Sequence, residues 1–168
     1  MTRKPEVVAT PDELTANPRG SGVRPPALDL TRTFDAPRRL VFEAWTKAEH
    51  LSKWFTPKPL TTSMCEVDFR PGGVFRLTMR MPNGVEHPMD GRFGEIVVPE
   101  RIEFSAKIPH DDEEQNTIET TITFSEANGR TTISVHQTYS IESDATRGAP
   151  QGWTATLNQL DEHLRSMS

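Results

Sequence analysis

The stretch Gly152–Arg165, GWTATLNQLDEHLR, decides the fold. Its apolar residues Trp153, Leu157, Leu160 and Leu164 fall at i, i+4, i+7 and i+11, one stripe of an α-helix. Thr154, Asn158, Asp161, Glu162 and Arg165 form the opposite, water-facing side. Ahead of it the chain carries strand-like runs, most with a single apolar face. A curved sheet of that kind needs a cover, and this helix is the longest uninterrupted candidate. The expected architecture is α+β: a curved antiparallel sheet wrapped around its own long C-terminal helix.

Working back from the helix, Glu142–Gln151 reads as a polar linker. Arg130–Tyr139 is a strand with Ile133, Val135, Gln137 and Tyr139 on the inward parity, joined through Ala127-Asn128-Gly129 to a strand over Thr117–Phe124. The latter points Ile118, Thr120, Ile122 and Phe124 inward. The acidic run His110–Glu114 reads as an exposed hairpin tip rather than a metal site. Arg101–Ile108 points Ile102, Phe104, Ala106 and Ile108 inward. Val85–Val98 puts His87, Met89, Gly91 and Phe93 on one parity, then slips near Gly94-Glu95, as a bulge allows. Pro82-Asn83-Gly84 is a hairpin turn after Val74–Met81, whose Phe75, Leu77, Met79 and Met81 face inward. Thr61–Phe69 places Cys65, Val67 and Phe69 together.

The first strand, Ala27–Phe34, alternates Leu28, Leu30 and Phe34 with polar residues, but Arg32 shares the inward parity. Asp35 is a good N-cap and Pro37 suits a first helical turn. Helical spacing then runs to about Lys47, and a second short helix reaches Trp54 before Pro57 and Pro59 forbid continuation. Residues 1–26 hold five prolines and two glycines and read as a disordered or loosely packed extension. Residues 27–168 are expected to form one domain.

Composition narrows the function classes. The formal net charge is -5 across 168 residues, without a basic face, which argues against nucleic-acid binding. The single cysteine, Cys65, excludes an intramolecular disulfide and fits a reducing compartment. No apolar run approaches the roughly 18 residues of a membrane span, and the N-terminus lacks a signal-peptide core. A cytoplasmic protein without membrane insertion is the expectation. The histidines at 50, 87, 110, 136 and 163 lack metal-ligand spacing, and Arg70-Pro-Gly-Gly73 joins strands instead of opening a helix. Neither a metal nor a cofactor is expected.

Three segments together, TRTFDAPRRLVFEAWTKAEHLSKWF (Thr31–Phe55), CEVDFRPGG (Cys65–Gly73) and EIVVPERIEF (Glu95–Phe104), resemble the bacterial branch of the activator of heat-shock protein 90 ATPase-like family. That branch lies within the SRPBCC, or START-like, superfamily. The resemblance covers Leu28 to about Leu164. It implies a helix-grip (START-like, Bet v-like) fold with two short helices after the first strand. It also implies a cavity between sheet and C-terminal helix for a hydrophobic small molecule of lipid-, polyketide- or aromatic-like character, and a link to stress response. The family's Trp-Trp-Gly-Pro appears here as Trp54-Phe55-Thr56-Pro57, so the local turn departs from the pattern. The superfamily hosts carriers, receptors, cyclases and oxygenase subunits, so its fold does not fix an activity.

The inward face gives the candidate ligand-binding residues: Trp54, Phe55, Phe75, Leu77, Met79, Met89, Phe93, Phe104, Thr120, Gln137, Tyr139, Trp153 and Leu157. Trp54, Phe55 and the Asn83-Gly84 hairpin are expected at the rim, with Trp153 and Leu157 as the helix wall. Methionine and phenylalanine suit a loosely specified apolar ligand, and equally suit a packed core. Gln137 both donates and accepts, and fits a carbonyl or hydroxyl. No nucleophile constellation stands out, so no catalytic residue is assigned. A cyclase- or hydrolase-like alternative would use His87, Arg32 or Gln137. Arg32 could equally snorkel at the sheet edge and His87 face solvent. A chaperone-partner module, acting through its outer surface, is the third reading. A homodimer through an open edge strand is compatible with the pattern.

Overall fold

The computed structural model describes residues 27–109, 115–142 and 144–167. The expectations for residues 1–26 and for the acidic tip at 110–114 lie outside them. The elements are β1 (Ala27–Phe34), α1 (Arg38–Glu43), α2 (Ala48–Trp54), β2 (Thr61–Val67), β3 (Val74–Arg80), β4 (Glu86–Val97), β5 (Arg101–Pro109), β6 (Gln115–Ala127), β7 (Arg130–Tyr139), α3 (Asp144–Arg147) and α4 (Ala149–Met167). The strands form a 7-stranded sheet in the order β1-β7-β6-β5-β4-β3-β2. Every neighbouring pair is antiparallel. This is the helix-grip arrangement, with α4 packed across the sheet's apolar face.

Local chemistry accounts for most boundaries. Asn128 (φ 55°) and Gly129 (φ 76°) both sit in the left-handed region, the conformation that a tight turn between β6 and β7 demands. The register of β4 against β5 shifts between Phe93 and Ile96, as the parity slip at Gly94-Glu95 requires. Several boundaries differ from the sequence reading: β2 stops at Val67 rather than Phe69, α1 at Glu43 rather than about Lys47, and β6 runs Gln115–Ala127 rather than Thr117–Phe124. α4 begins at Ala149 rather than Gly152, because Pro150 in the first turn needs no hydrogen-bond partner for a missing N–H. The expected polar linker contains the short α3. The N-cap of α1 is Pro37, not Asp35, and no side chain caps the helix.

The core lies between the sheet and the helices. Trp45, Trp54, Phe75, Leu77, Ile102, Ile122, Ile133, Leu157 and Leu160 are fully buried within it. Trp45 on the α1–α2 junction stacks on Trp153 of α4 at 6.3 Å and meets Trp54 edge-on at 4.8 Å. Phe75 stacks on Phe93 at 5.3 Å and meets Phe104 edge-on at 4.9 Å. Such offset and edge-on pairs stabilise by about 0.5–1.5 kcal/mol each beyond the area they bury. No helix among the described residues is long and apolar enough to cross a membrane.

Candidate ligand-binding cavity

Register places the inward side chains of neighbouring strands in rows. One row runs Phe93, Phe104, Thr120, Gln137 from β4 to β7. The next runs Phe75, Gly91, Ala106, Ile118, Tyr139 from β3 to β7. The second row loses side-chain volume at two consecutive strands, Gly91 and Ala106. Gly91 is compelled by crowding: a Cβ there would lie 2.9 Å from the carbonyl oxygens of Phe75 and Ser105. On the helix side, Gly152 likewise contributes no side chain.

A cavity of about 180 Å³ forms over this thin row. Phe104, Ala106, Ile118 and Gln137 line its sheet side, and Ala149, Gly152, Trp153 and Thr156 of α4 cover it. Phe55 and Pro57 close one flank, and Met79 and Met89 the other. Its walls are almost wholly apolar.

The polar exceptions are Thr156 and Gln137, the latter 6% exposed. Gln137 Nε2 donates to Thr120 Oγ1 at 2.8 Å. Its Oε1 accepts from the Tyr139 hydroxyl at 2.5 Å and from the Trp153 indole at 3.2 Å. Thr120 and Gln137 are register partners, which sets them side by side. Burial pushes the Tyr139 phenol up to about 12, so it remains a hydroxyl donor over the ordinary pH range.

The Phe55 flank is held by α4. Gln159 Nε2 donates to the carbonyls of Trp54 (3.0 Å) and Thr56 (2.7 Å), while its Oε1 accepts from the Lys58 N–H at 3.0 Å. Thr156 Oγ1 donates to the Phe55 carbonyl at 3.3 Å. Thr56, standing where the family pattern has glycine, does not need positive φ. Its hydroxyl instead meets that of Thr62 at 2.6 Å.

Among the sequence candidates, Phe55, Met79, Met89, Phe104, Gln137 and Trp153 line the cavity. Thr120 and Tyr139 stand behind Gln137 through hydrogen bonds. Phe75, Leu77, Phe93 and Leu157 are packed core. Trp54 is not at the rim: it is fully buried, its indole N–H donating to the Ala44 carbonyl at 3.0 Å. The Asn83-Gly84 turn does not line the cavity either. Pro57, Ala106, Ile118, Ala149, Gly152 and Thr156 complete the lining without having been singled out. Ala106, Ala149 and Gly152 contribute through their smallness, Ile118 through its inward parity on β6, and Pro57 from the loop after α2.

Arg32, His87 and Gln137 are not brought together. Arg32 donates to Asn158 Oδ1 at 2.8 Å, on the β1 side of α4. His87 is exposed at the start of β4, its Nε2 3.1 Å from Met81 Sδ. Cys65 is half-buried on β2, and burial pushes its thiol up to about 11. No group of three or more His, Cys, Asp and Glu side chains suited to a metal occurs among the described residues.

The model of the family described as Activator of Hsp90 ATPase homolog 1-like protein matches residues 35–165. Among solved structures, a protein of Nitrosomonas europaea is 29% identical with a TM-score of 0.73, covering 84% of this chain and 95% of that one. A protein of Chromobacterium violaceum is 26% identical with a TM-score of 0.74, covering 82% and 96%. A protein of Rhizobium leguminosarum is 25% identical with a TM-score of 0.72, covering 85% and 96%. No curated protein sequence matches the chain.

Proposed function

The chain belongs to the activator of Hsp90 ATPase homolog 1-like family, and from that premise we propose that it binds a hydrophobic small molecule between its sheet and α4. The carrying observation is the apolar cavity of about 180 Å³ over the Gly91–Ala106 row. An apolar void of roughly 150 Å³ is already enough to take up benzene. Drug-sized ligands occupy roughly 300–1,000 Å³. The occupant is therefore a single-ring or short-chain molecule, rather than a long acyl chain enclosed along its length. The cytoplasm is the compartment in which we place this function.

Two other readings have less support. A cyclase- or hydrolase-like site needs converging polar groups, whereas Arg32 and His87 stand apart from Gln137. A chaperone-contacting module calls for a contiguous exposed apolar patch. Of the large exposed apolar residues described, Val85 and Val98 flank opposite ends of β4, and Met64 lies on the edge strand β2.

Native mass spectrometry of freshly purified protein, before and after organic extraction, tests the binding reading, together with thermal shifts against single-ring aromatics. Co-purified apolar mass or a concentration-dependent rise in Tm is the expected result. Ala106→Leu, which fills the thin row, is expected to abolish the shift while leaving the protein folded. No co-purified molecule and no shift with any probe would overturn the proposal.

A further inference from the structure

Gln137 has one hydrogen left over, and its direction of use can be worked out. An indole N–H only donates, so the amide atom facing Trp153 Nε1 must be the oxygen. The Tyr139 hydroxyl donates to that same oxygen, which occupies both of its lone pairs. The nitrogen therefore faces Thr120, whose hydroxyl oxygen takes one of its two hydrogens. The second N–H has no partner among the described residues, on a side chain that lines the cavity.

From this arrangement, and resting on the cavity-binding reading above, we infer that the site selects small neutral molecules carrying a lone acceptor oxygen, such as aryl or short alkyl ketones, aldehydes and esters. The oxygen accepts the free Gln137 N–H, and the hydrocarbon part fills the space over Ala106. A carboxylate is rejected, because no cationic side chain lines the cavity to offset its desolvation. The other polar side chain in the wall, Thr156, already directs its hydroxyl hydrogen to the Phe55 carbonyl. Trp153 thus acts on ligand choice from a distance: by holding the amide oxygen, it turns the amide nitrogen toward its two acceptors.

Acetophenone and α-methylstyrene have nearly the same shape and differ in an oxygen replaced by a methylene. Their affinities are to be measured by calorimetry for the unaltered protein and for Gln137→Glu at about pH 8. That substitution keeps an acceptor for Trp153 and Tyr139 and removes the N–H. Acetophenone is expected to weaken by at least about threefold, because one hydrogen bond is lost and a carboxylate now faces its carbonyl oxygen. The hydrocarbon should change less than twofold, and benzoate should not bind the unaltered protein. If the variant does not fold, the unaltered protein still decides the matter by NMR. One of the two Gln137 side-chain amide hydrogens must move downfield with acetophenone and stay in place with α-methylstyrene. Equal losses for both ligands, or an amide indifferent to the ketone, would overturn the acceptor inference and leave the cavity reading standing. Binding of neither ligand would overturn the acceptor inference, and the cavity reading falls as well if no apolar molecule co-purifies and no other probe shifts Tm.

Discussion

Nδ1 of His50 and Nε2 of His163 lie 2.9 Å apart where α2 meets α4. One ring must bring the hydrogen and the other a lone pair. His163 is held below the ordinary value of 6.5, first by burial and then by the nearby His50 and Lys53.

The pH dependence follows from that depression. Below about pH 6.5 the unfolded chain protonates this histidine more readily than the folded one, so stability falls as pH drops toward the lowered folded value. Above it this contribution is flat. Urea unfolding midpoints at about pH 8, 6 and 5 should decline in that order, and His163→Gln should flatten part of the decline. An identical profile in the variant would remove His163 as the cause.

Gly152 offers a stabilising substitution. It sits in the first turns of α4, and a Cβ there would meet nothing within 4 Å. Gly152→Ala should raise stability by about 0.5–1 kcal/mol through helix propensity alone. Thermal unfolding reads this as a Tm increase of roughly 1–4 °C. A lower Tm would mean that the space is not free.

Gln159 holds the Phe55 flank through three hydrogen bonds to the Trp54–Lys58 backbone. Gln159→Leu leaves those backbone groups without their partner and should cost about 1–3 kcal/mol. Ligand affinity should fall as well, because Phe55 and Pro57 lose their support. A chemical denaturation curve gives the first quantity and calorimetry with an aromatic probe the second. Unchanged affinity at reduced stability would separate the clip from the cavity.

Cys65 should be a slow thiol. Burial raises it to about 11, so little thiolate is present near neutral pH. Ellman-type reagents at about pH 8 should label the native protein far more slowly than the urea-unfolded chain. Equal rates would show that β2 opens readily.

The fold was legible because its signals were periodic. Trp153, Leu157, Leu160 and Leu164 announce α4, and alternation fixes the inward faces of β3 to β7, down to the slip at Gly94-Glu95. The cavity was only half legible. Gln137 stands out as a polar residue on an inward parity, and Phe55 and Trp153 as large apolar ones. Ala106 and Gly152 matter through what they lack, and the alignment of Ala106 with Gly91 depends on cross-strand register that no single strand encodes. Trp54 misled for the opposite reason. A tryptophan beside a loop suits a rim, yet the turn from α1 into α2 folds its indole back onto the Ala44 carbonyl.

The roof of the cavity is also the beginning of a helix. Ala149, Gly152 and Trp153 belong to the opening turns of α4, where the Gly152 N–H donates to the Gly148 carbonyl at 3.1 Å and unwinding is less costly than at mid-helix. The cavity is already partly open to solvent, and brief unwinding of those turns widens its mouth for a guest. Guest exchange should then quicken with helix fraying, with the amide hydrogens of Ala149, Gln151, Gly152 and Trp153 exchanging faster than those at 157–164. Occupancy should slow the faster set first.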